Sequence, residues 1–416
     1  MNQKELEVLK TVETLREELV ERVKELIKIP TVNPPGECYE EMANLLAKRL
    51  NEIGLEVDVI NVPRDELREC GVELPRPIVV GFLKDMNKKR RSRRLVLNGH
   101  YDVVPPGSGW SVDPFQAVVK EDRVYGRGAA DMKGAIASMI VALKAIKESQ
   151  VTLKGGLCFT LVPDEEVGGR SGSGYVVKKR IVSGDGCVIG EATGLTSLFT
   201  AQKGLLWLEV ITRGRAAHAS MPHMGLNAVE KMAKIIVGLE RLKSEFARYE
   251  STLKFPDSAR HTTINVGGVI RGGTKINMVP DFCSCTLDIR VIPEESTETV
   301  ERRVREFLEG LKKEDPGLMY ELRVLDKAEP AHTSVAEEVV KVGIEAVKDV
   351  IGKLPAIEGS PYSTDMRWFK EIMPTIIYGP GSVERLHAPD ECVSTSELEG
   401  AAKVYSLIIM RFLGYE

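Results

Sequence analysis

Histidine is scarce in this chain, six among 416 residues, so the position of each one carries information. One closes the run Leu95-Val96-Leu97-Asn98-Gly99-His100-Tyr101-Asp102, whose apolar part reads as a buried strand. Asp131 follows Gly126-Arg127-Gly128-Ala129-Ala130 and opens a stretch of small residues. Glu165 and Glu166 come directly after Leu161-Val162-Pro163-Asp164, and Glu191 after Val188-Ile189-Gly190. His387 lies in the loop beyond Ile376-Ile377-Tyr378-Gly379-Pro380-Gly381. In open α/β sheets, ligands bind outside the carboxyl ends of the strands. Five separate segments therefore bring His, Asp or Glu to one such edge.

Taken singly, each residue has an ordinary explanation. Asp131 can cap its helix, Glu165-Glu166 can be a solvated turn, and His100 can be a hydrogen-bonded core residue. Taken together, those explanations crowd several carboxylates at one edge with no counter-charge, which is costly. A divalent cation removes the repulsion. Two imidazoles and three carboxylates suit Zn²⁺, with Co²⁺ or Mn²⁺ as substitutes, better than an all-oxygen Ca²⁺ or Mg²⁺ site. Five ligands are too many for one catalytic zinc but enough for two ions if one carboxylate bridges, with a water activated between them. One glutamate of the Glu165-Glu166 pair is then left as a general base, and spacing alone does not say which. Asp102, two residues from His100, is placed to accept the other imidazole proton.

The elements that must position these residues can be read from periodicity. Val8, Val12, Leu15, Leu19, Val23 and Leu26 predict one helix running to Ile29, stopped by Pro30 and Asn33-Pro34-Pro35-Gly36. A helix over Tyr39–Ile53, strands over Leu55–Val62, Ile78–Phe82 and Leu95–Asn98, a helix over Lys133–Lys147, and strands over Gly156–Val162 and Cys187–Ile189 follow. Alternating helices and strands predict an α/β domain, a central mixed sheet flanked by helices. From Ser197 the order becomes β-α-β-β-α-β, the ferredoxin-like pattern, after which helix, strand and helix return over Val335–Ile351, Thr375–Tyr378 and Thr395–Leu413. The expected organisation is a catalytic domain in two parts, residues 1–196 and 328–416, interrupted by an α+β insert over 197–327.

Composition excludes several classes. Fifty-seven Lys and Arg against sixty-one Asp and Glu give a net charge of −4, which disfavours a nucleic-acid binder or a membrane-surface protein. The basic run Lys88–Arg94 has no aromatic companions and reads as a solvated turn between strands. No apolar stretch reaches the length of a membrane span, and Met1–Lys10 shows no apolar leader. Seven scattered cysteines without a CxxC pair argue for free thiols in a reducing cytoplasm.

The runs Gly99-His100-Tyr101-Asp102-Val103-Val104-Pro105, Gly126-Arg127-Gly128-Ala129-Ala130-Asp131-Met132-Lys133-Gly134, Asp164-Glu165-Glu166-Val167-Gly168-Gly169 and Leu386-His387-Ala388-Pro389-Asp390-Glu391 resemble the M20 metallopeptidase family. That group includes acetylornithine deacetylase, succinyl-diaminopimelate desuccinylase, aminoacylase and glutamate carboxypeptidase. The resemblance covers nearly the whole chain. It implies that Asp131 bridges two Zn²⁺ ions, that His100 and Glu191 complete one site and Glu166 and His387 the other, and that Glu165 is the general base. It also implies a cis Asp131–Met132 peptide bond.

In the insert, Arg215-Ala216-Ala217-His218-Ala219-Ser220 resembles the family's lid histidine, which reaches across a homodimer and polarises the scissile carbonyl. Asn265 matches a position near the substrate, whereas His223, His261 and His332 are read as structural. Strand alternation puts Cys283, Cys285, Leu287, Ile289 and Val291 on one face and Ser284, Thr286, Asp288 and Arg290 on the other. Arg290 there can clamp a substrate carboxylate, as the family's equivalent arginine does, or pair with Asp288 two residues away. The run Gly359-Ser360-Pro361-Tyr362-Ser363-Thr364-Asp365-Met366-Arg367 resembles the family's Ser/Thr-Asp-x-Arg loop near the substrate, which implies substrate contacts from Ser363 and Thr364. The expectation is a cytoplasmic, homodimeric amidohydrolase that cleaves N-acyl amino acids. The alternative is a dipeptidase or carboxypeptidase using the same machinery on short peptides.

Overall fold

The computed structural model describes residues 1–83 and 92–416. It divides into two compact units. One comprises Met1–Thr200, Thr333–Ile357 and Thr364–Glu416, and the other Ala201–His332 with Glu358–Ser363. The second unit begins and ends a few residues later than the 197–327 span read from sequence. The difference arises because Ser197–Gln202 is a strand of the large sheet, where Phe199 lies opposite Ile377. Most of the basic run, Lys88 to Arg91, lies outside the described residues. The strands on either side of it, Pro77–Leu83 and Arg94–His100, do not pair with each other, because Gly156–Val162 lies between them.

The large sheet of the first unit is mixed. Seven of its nine strands stand in the order Glu56–Asn61, Pro77–Leu83, Gly156–Val162, Arg94–His100, Gly186–Ile189, Thr375–Ile377, Ser197–Gln202. The four strands from Gly156–Val162 to Thr375–Ile377 are mutually parallel. Parallel strands are covered on both faces and so read as nearly continuous apolar runs. Leu95, Val96 and Leu97 are fully buried, as are Cys187, Val188 and Ile189. The small-residue helix Gly134–Glu148 is buried along almost its whole length. It packs against the last helix, Thr395–Leu413, which also contacts Glu338–Ile351. Each fully buried Leu, Ile or Val here contributes roughly 1.5–3 kcal/mol, which makes the layer stiff.

Two details differ from the sequence expectation. The first helix is two, Gln3–Thr14 and Arg16–Ile27, meeting at Leu15. Thr11 and Thr14 turn their hydroxyls back onto the carbonyls of Glu7 and Thr11, a competition that bends helices. A three-stranded sheet of Cys392–Ser394, Arg123–Tyr125 and Val118–Lys120 was not anticipated, since three-residue strands are too short to show a period.

The second unit has the strand order Thr263–Gly272, Phe282–Val291, Gly204–Arg213, Met319–Ala328, antiparallel throughout. Helices Ala228–Phe246 and Thr297–Glu314 complete the ferredoxin-like arrangement. Their core takes Leu206, Leu208 and Val210 together with Cys283, Cys285, Leu287, Ile289 and Val291, the face expected from alternation. Among the described residues no helix is long and apolar enough to cross a membrane.

Candidate metal centre

The site of the first unit gathers at the carboxyl ends of its parallel strands. His100 is the last residue of its strand. Glu165 and Glu166 open a short turn after Gly156–Val162, and Glu191 lies two residues beyond Gly186–Ile189. Asp131 stands at the entrance to Gly134–Glu148, in a turn begun by Gly128 at φ +88°. A Cβ at Gly128 would fall 2.7 Å from Val103 Cγ1, so the turn requires glycine twice over, for its angle and for its space. The Asp131–Met132 peptide is cis.

Asp131 is the geometric centre. Its Oδ1 lies 3.0 Å from His100 Nε2, and its Oδ2 lies 3.2 Å from His387 Nε2. Glu191 Oε1 approaches the His100 side at 3.5 Å, and Glu166 Oε2 the His387 side at 3.2 Å. Donor atoms of His100, Glu165 and Glu191 form one close group, and those of His100, Asp131 and Glu166 another. His100, Asp131 and Glu191 are buried, whereas the His387 side chain is half exposed.

Electrostatics shows how tightly these groups are bound to each other. Burial and the Asp131 charge push Glu191 up to about 7 against its hydrogen bond with His100. The same two causes push Glu166 up to about 7 against its bond with His387. Burial and Glu191 raise Glu165 well above the carboxylate range. Burial would raise Asp131 as well, but His100 and His387 hold it below that range. Hydrogen bonds to Asp131 and Glu166 lift His387 to about 10. Without a cation, the cluster stays together only by keeping protons on its imidazoles and some carboxylates. Two imidazoles and three carboxylates, with one carboxylate presenting an oxygen to each imidazole, match the donors of a divalent transition-metal pair. The residues present fit such a pair.

Asp102 stands beside His100 and also serves the glutamate turn. The ring Nδ1 of His100 sits 3.0 Å from the backbone carbonyl of Asp102 and 3.4 Å from its carboxylate. The carboxylate chiefly accepts the N–H groups of Glu165 and Glu166, both at 3.2 Å, and the amide of Asn33 at 3.0 Å. Asp102 thus ties the glutamate turn to the histidine strand. Asn33 also donates to Asp164 at 3.0 Å, and Arg76 Nε reaches both Asp164 oxygens at 2.7 Å. Arg127 and Glu391 form a second buried pair, 2.6 Å apart. Sequence reasoning passed over Asn33, Arg76, Asp164, Arg127 and Glu391. The two ion pairs join partners 88 and 264 positions apart, and no spacing rule reaches that far.

The remaining expected residues divide between the units. Thr364 is buried in the first, its hydroxyl accepting the Met366 N–H. His218, Asn265, Arg290 and Ser363 belong to the second. His218 is exposed, with Nδ1 2.7 Å from the Ser220 hydroxyl. Asn265 is opposite Asp288 across the strands, which puts it on the polar face with Arg290. Arg290 takes both oxygens of Asp288, at 2.8 and 3.1 Å. Ser363 accepts from Gln202 at 3.2 Å.

Residues 96–411 match the model of peptidase family M20/M25/M40. The chain belongs to that family. This M20 metallo-hydrolase is 29% identical over 398 residues to an acetylornithine deacetylase of Photorhabdus laumondii, covering 94% of this chain and 97% of the relative. It is 31% identical over 415 residues to an N-formyl-4-amino-5-aminomethyl-2-methylpyrimidine deformylase of Halalkalibacterium halodurans, covering 94% and 93%. Its fold is that of the M20 family metallo-carboxypeptidase Sso-CP2 of Sulfolobus solfataricus, with a TM-score of 0.76 at 23% identity over 95% and 99% of the two chains.

Proposed function

We propose that this M20 hydrolase is a dinuclear zinc amidohydrolase that removes an acyl group from an N-acyl amino acid. The observation that carries the proposal is the Asp131 carboxylate, each of whose oxygens faces a different imidazole. Asp131, His100 and Glu191 would hold one ion, and Asp131, Glu166 and His387 the other, with Co²⁺ or Mn²⁺ as possible replacements. When bound, such a pair polarises the scissile carbonyl and acidifies water.

The protein's own groups do the rest. Glu165 takes the proton of the attacking water as its oxygen bonds to the acyl carbon, and then delivers that proton to the amine nitrogen as the C–N bond breaks. The products are a carboxylate and a free amine. Asp102 holds the Glu165 backbone in place for both transfers. His218, supplied by a second copy of the chain in a homodimer formed through the inserted unit, would donate to the carbonyl oxygen as negative charge builds there. Arg290, Asn265, Ser363 and Thr364 would contact the substrate, with Arg290 exchanging Asp288 for the substrate carboxylate.

The names of the two relatives, a deacetylase and a deformylase, support acyl removal over peptide cleavage. The test is a hydrolysis screen of N-acetyl and N-succinyl amino acids and dipeptides with added Zn²⁺ or Co²⁺. Turnover of the acylated amino acids above the dipeptides is expected. Preferential dipeptide cleavage would replace the deacylase assignment with a peptidase.

A further inference from the structure

We infer that the buried Arg127–Glu391 pair is a positioning unit that sets how tightly the Asp131–His387 side of the centre holds a divalent cation. The inference rests on the metal-centre reading above and concerns residues to which that reading gives no part. Glu391 Oε1 accepts two backbone donors, the N–H of Ala130 at 2.9 Å and that of Asp131 at 3.1 Å. Its Oε2 takes Arg127 Nη1 at 2.6 Å. The Nη2 of the same guanidinium donates to the carbonyls of His387 and Pro106, both at 3.3 Å, and the guanidinium lies 5.2 Å from the Trp110 ring centre. Both side chains are at most 1% exposed.

One carboxylate and one guanidinium therefore grip the backbones of two proposed ligands, Asp131 and His387, which come from distant parts of the chain. His387 needs the grip, because its φ of +61° lies where a residue with a Cβ stays only if its surroundings hold it. The loop is fastened again by Asp390, which accepts the Ser111 N–H at 2.8 Å, and by the Gly126 N–H, which donates to the Glu391 carbonyl at 3.0 Å. Groups that orient metal ligands from behind typically change metal affinity by about 10- to 100-fold when altered. Neutralising or reshaping this pair lets the Asp131 turn and the His387 loop move independently of each other.

The test is a Co²⁺ titration of chelator-treated full-length protein, followed by calorimetry and by the visible absorption of the bound ion. Wild type is compared with Glu391→Gln and Arg127→Lys. Glutamine keeps an acceptor for the two N–H groups but loses the charge facing Arg127. Lysine keeps a cation but not the planar fork that reaches three oxygens at once. The expected result is about a 10- to 100-fold loss of affinity at the weaker site in both variants. A changed Co²⁺ spectrum should accompany it, with both metal-free variants less stable than wild type but still folded at the temperature of the titration. Wild-type affinity and spectrum in the folded variants would overturn the inference. So would unfolding of both variants before metal is added, since the pair would then hold the fold rather than set the site. A wild-type protein that takes up no Co²⁺ would instead sink the metal-centre reading, and this inference with it.

Discussion

At the scale of single residues, the centre depends on one carboxylate with two faces. Asp131 can serve two cations because His100 and His387 approach opposite oxygens. Glu165 differs from its neighbour Glu166 in lying with His100 and Glu191, while Glu166 contacts His387. The two adjacent glutamates therefore face different neighbours; spacing left open which of them is the base, and only the family resemblance assigns that part to Glu165. Substituting Glu165 with Gln keeps the shape and removes the base. Turnover should fall by about 10²- to 10⁴-fold with metal content unchanged, checked by steady-state kinetics beside elemental analysis. Loss of metal along with activity would make Glu165 a ligand instead.

At the scale of elements, parallel strands end at the candidate ligands His100, Glu166 and Glu191, and buried ion pairs tie down the turns nearby. The strands were legible in the sequence because full burial writes itself as continuous apolar runs, as in Leu95–Leu97. His100, Glu166 and Glu191 could be proposed as ligands because each follows such a run, whereas Asp131 follows residues 126–130 and leads into a helix. The ion pairs were not legible, since Arg76 and Asp164 meet only through folding and each looks like an ordinary charged loop residue. Ser197–Gln202 was missed as a strand because it falls where the chain leaves one unit for the next. Arg76→Met would leave Asp164 buried beside Asp102 without its cation. Unfolding free energy should fall by about 3–5 kcal/mol, measured by denaturant titration. A loss below about 1 kcal/mol, the size of a surface pair, would show that Asp164 finds another partner.

At the scale of the whole molecule, the ferredoxin-like order of the second unit was read correctly from its pattern of elements. Its polar face carries Asn265, Asp288 and Arg290, a surface that alternation predicts but whose use it does not reveal. If a second copy supplies His218, activity is shared between protomers and can be recovered by mixing. Glu165→Gln and His218→Ala should each be nearly inactive alone. Co-refolded in equal amounts, they should regain roughly a quarter of wild-type turnover, because half of the random pairs hold one intact site of two. No recovery would confine each site to its own chain.

The central claim is that Asp131 joins two cations, and counting them tests it most directly. Elemental analysis of zinc-loaded, desalted protein should find close to two equivalents per chain in wild type. It should find clearly fewer in Asp131→Asn, which loses the charge both ions share. One equivalent or none in wild type, or an unchanged count in Asp131→Asn, would contradict the account.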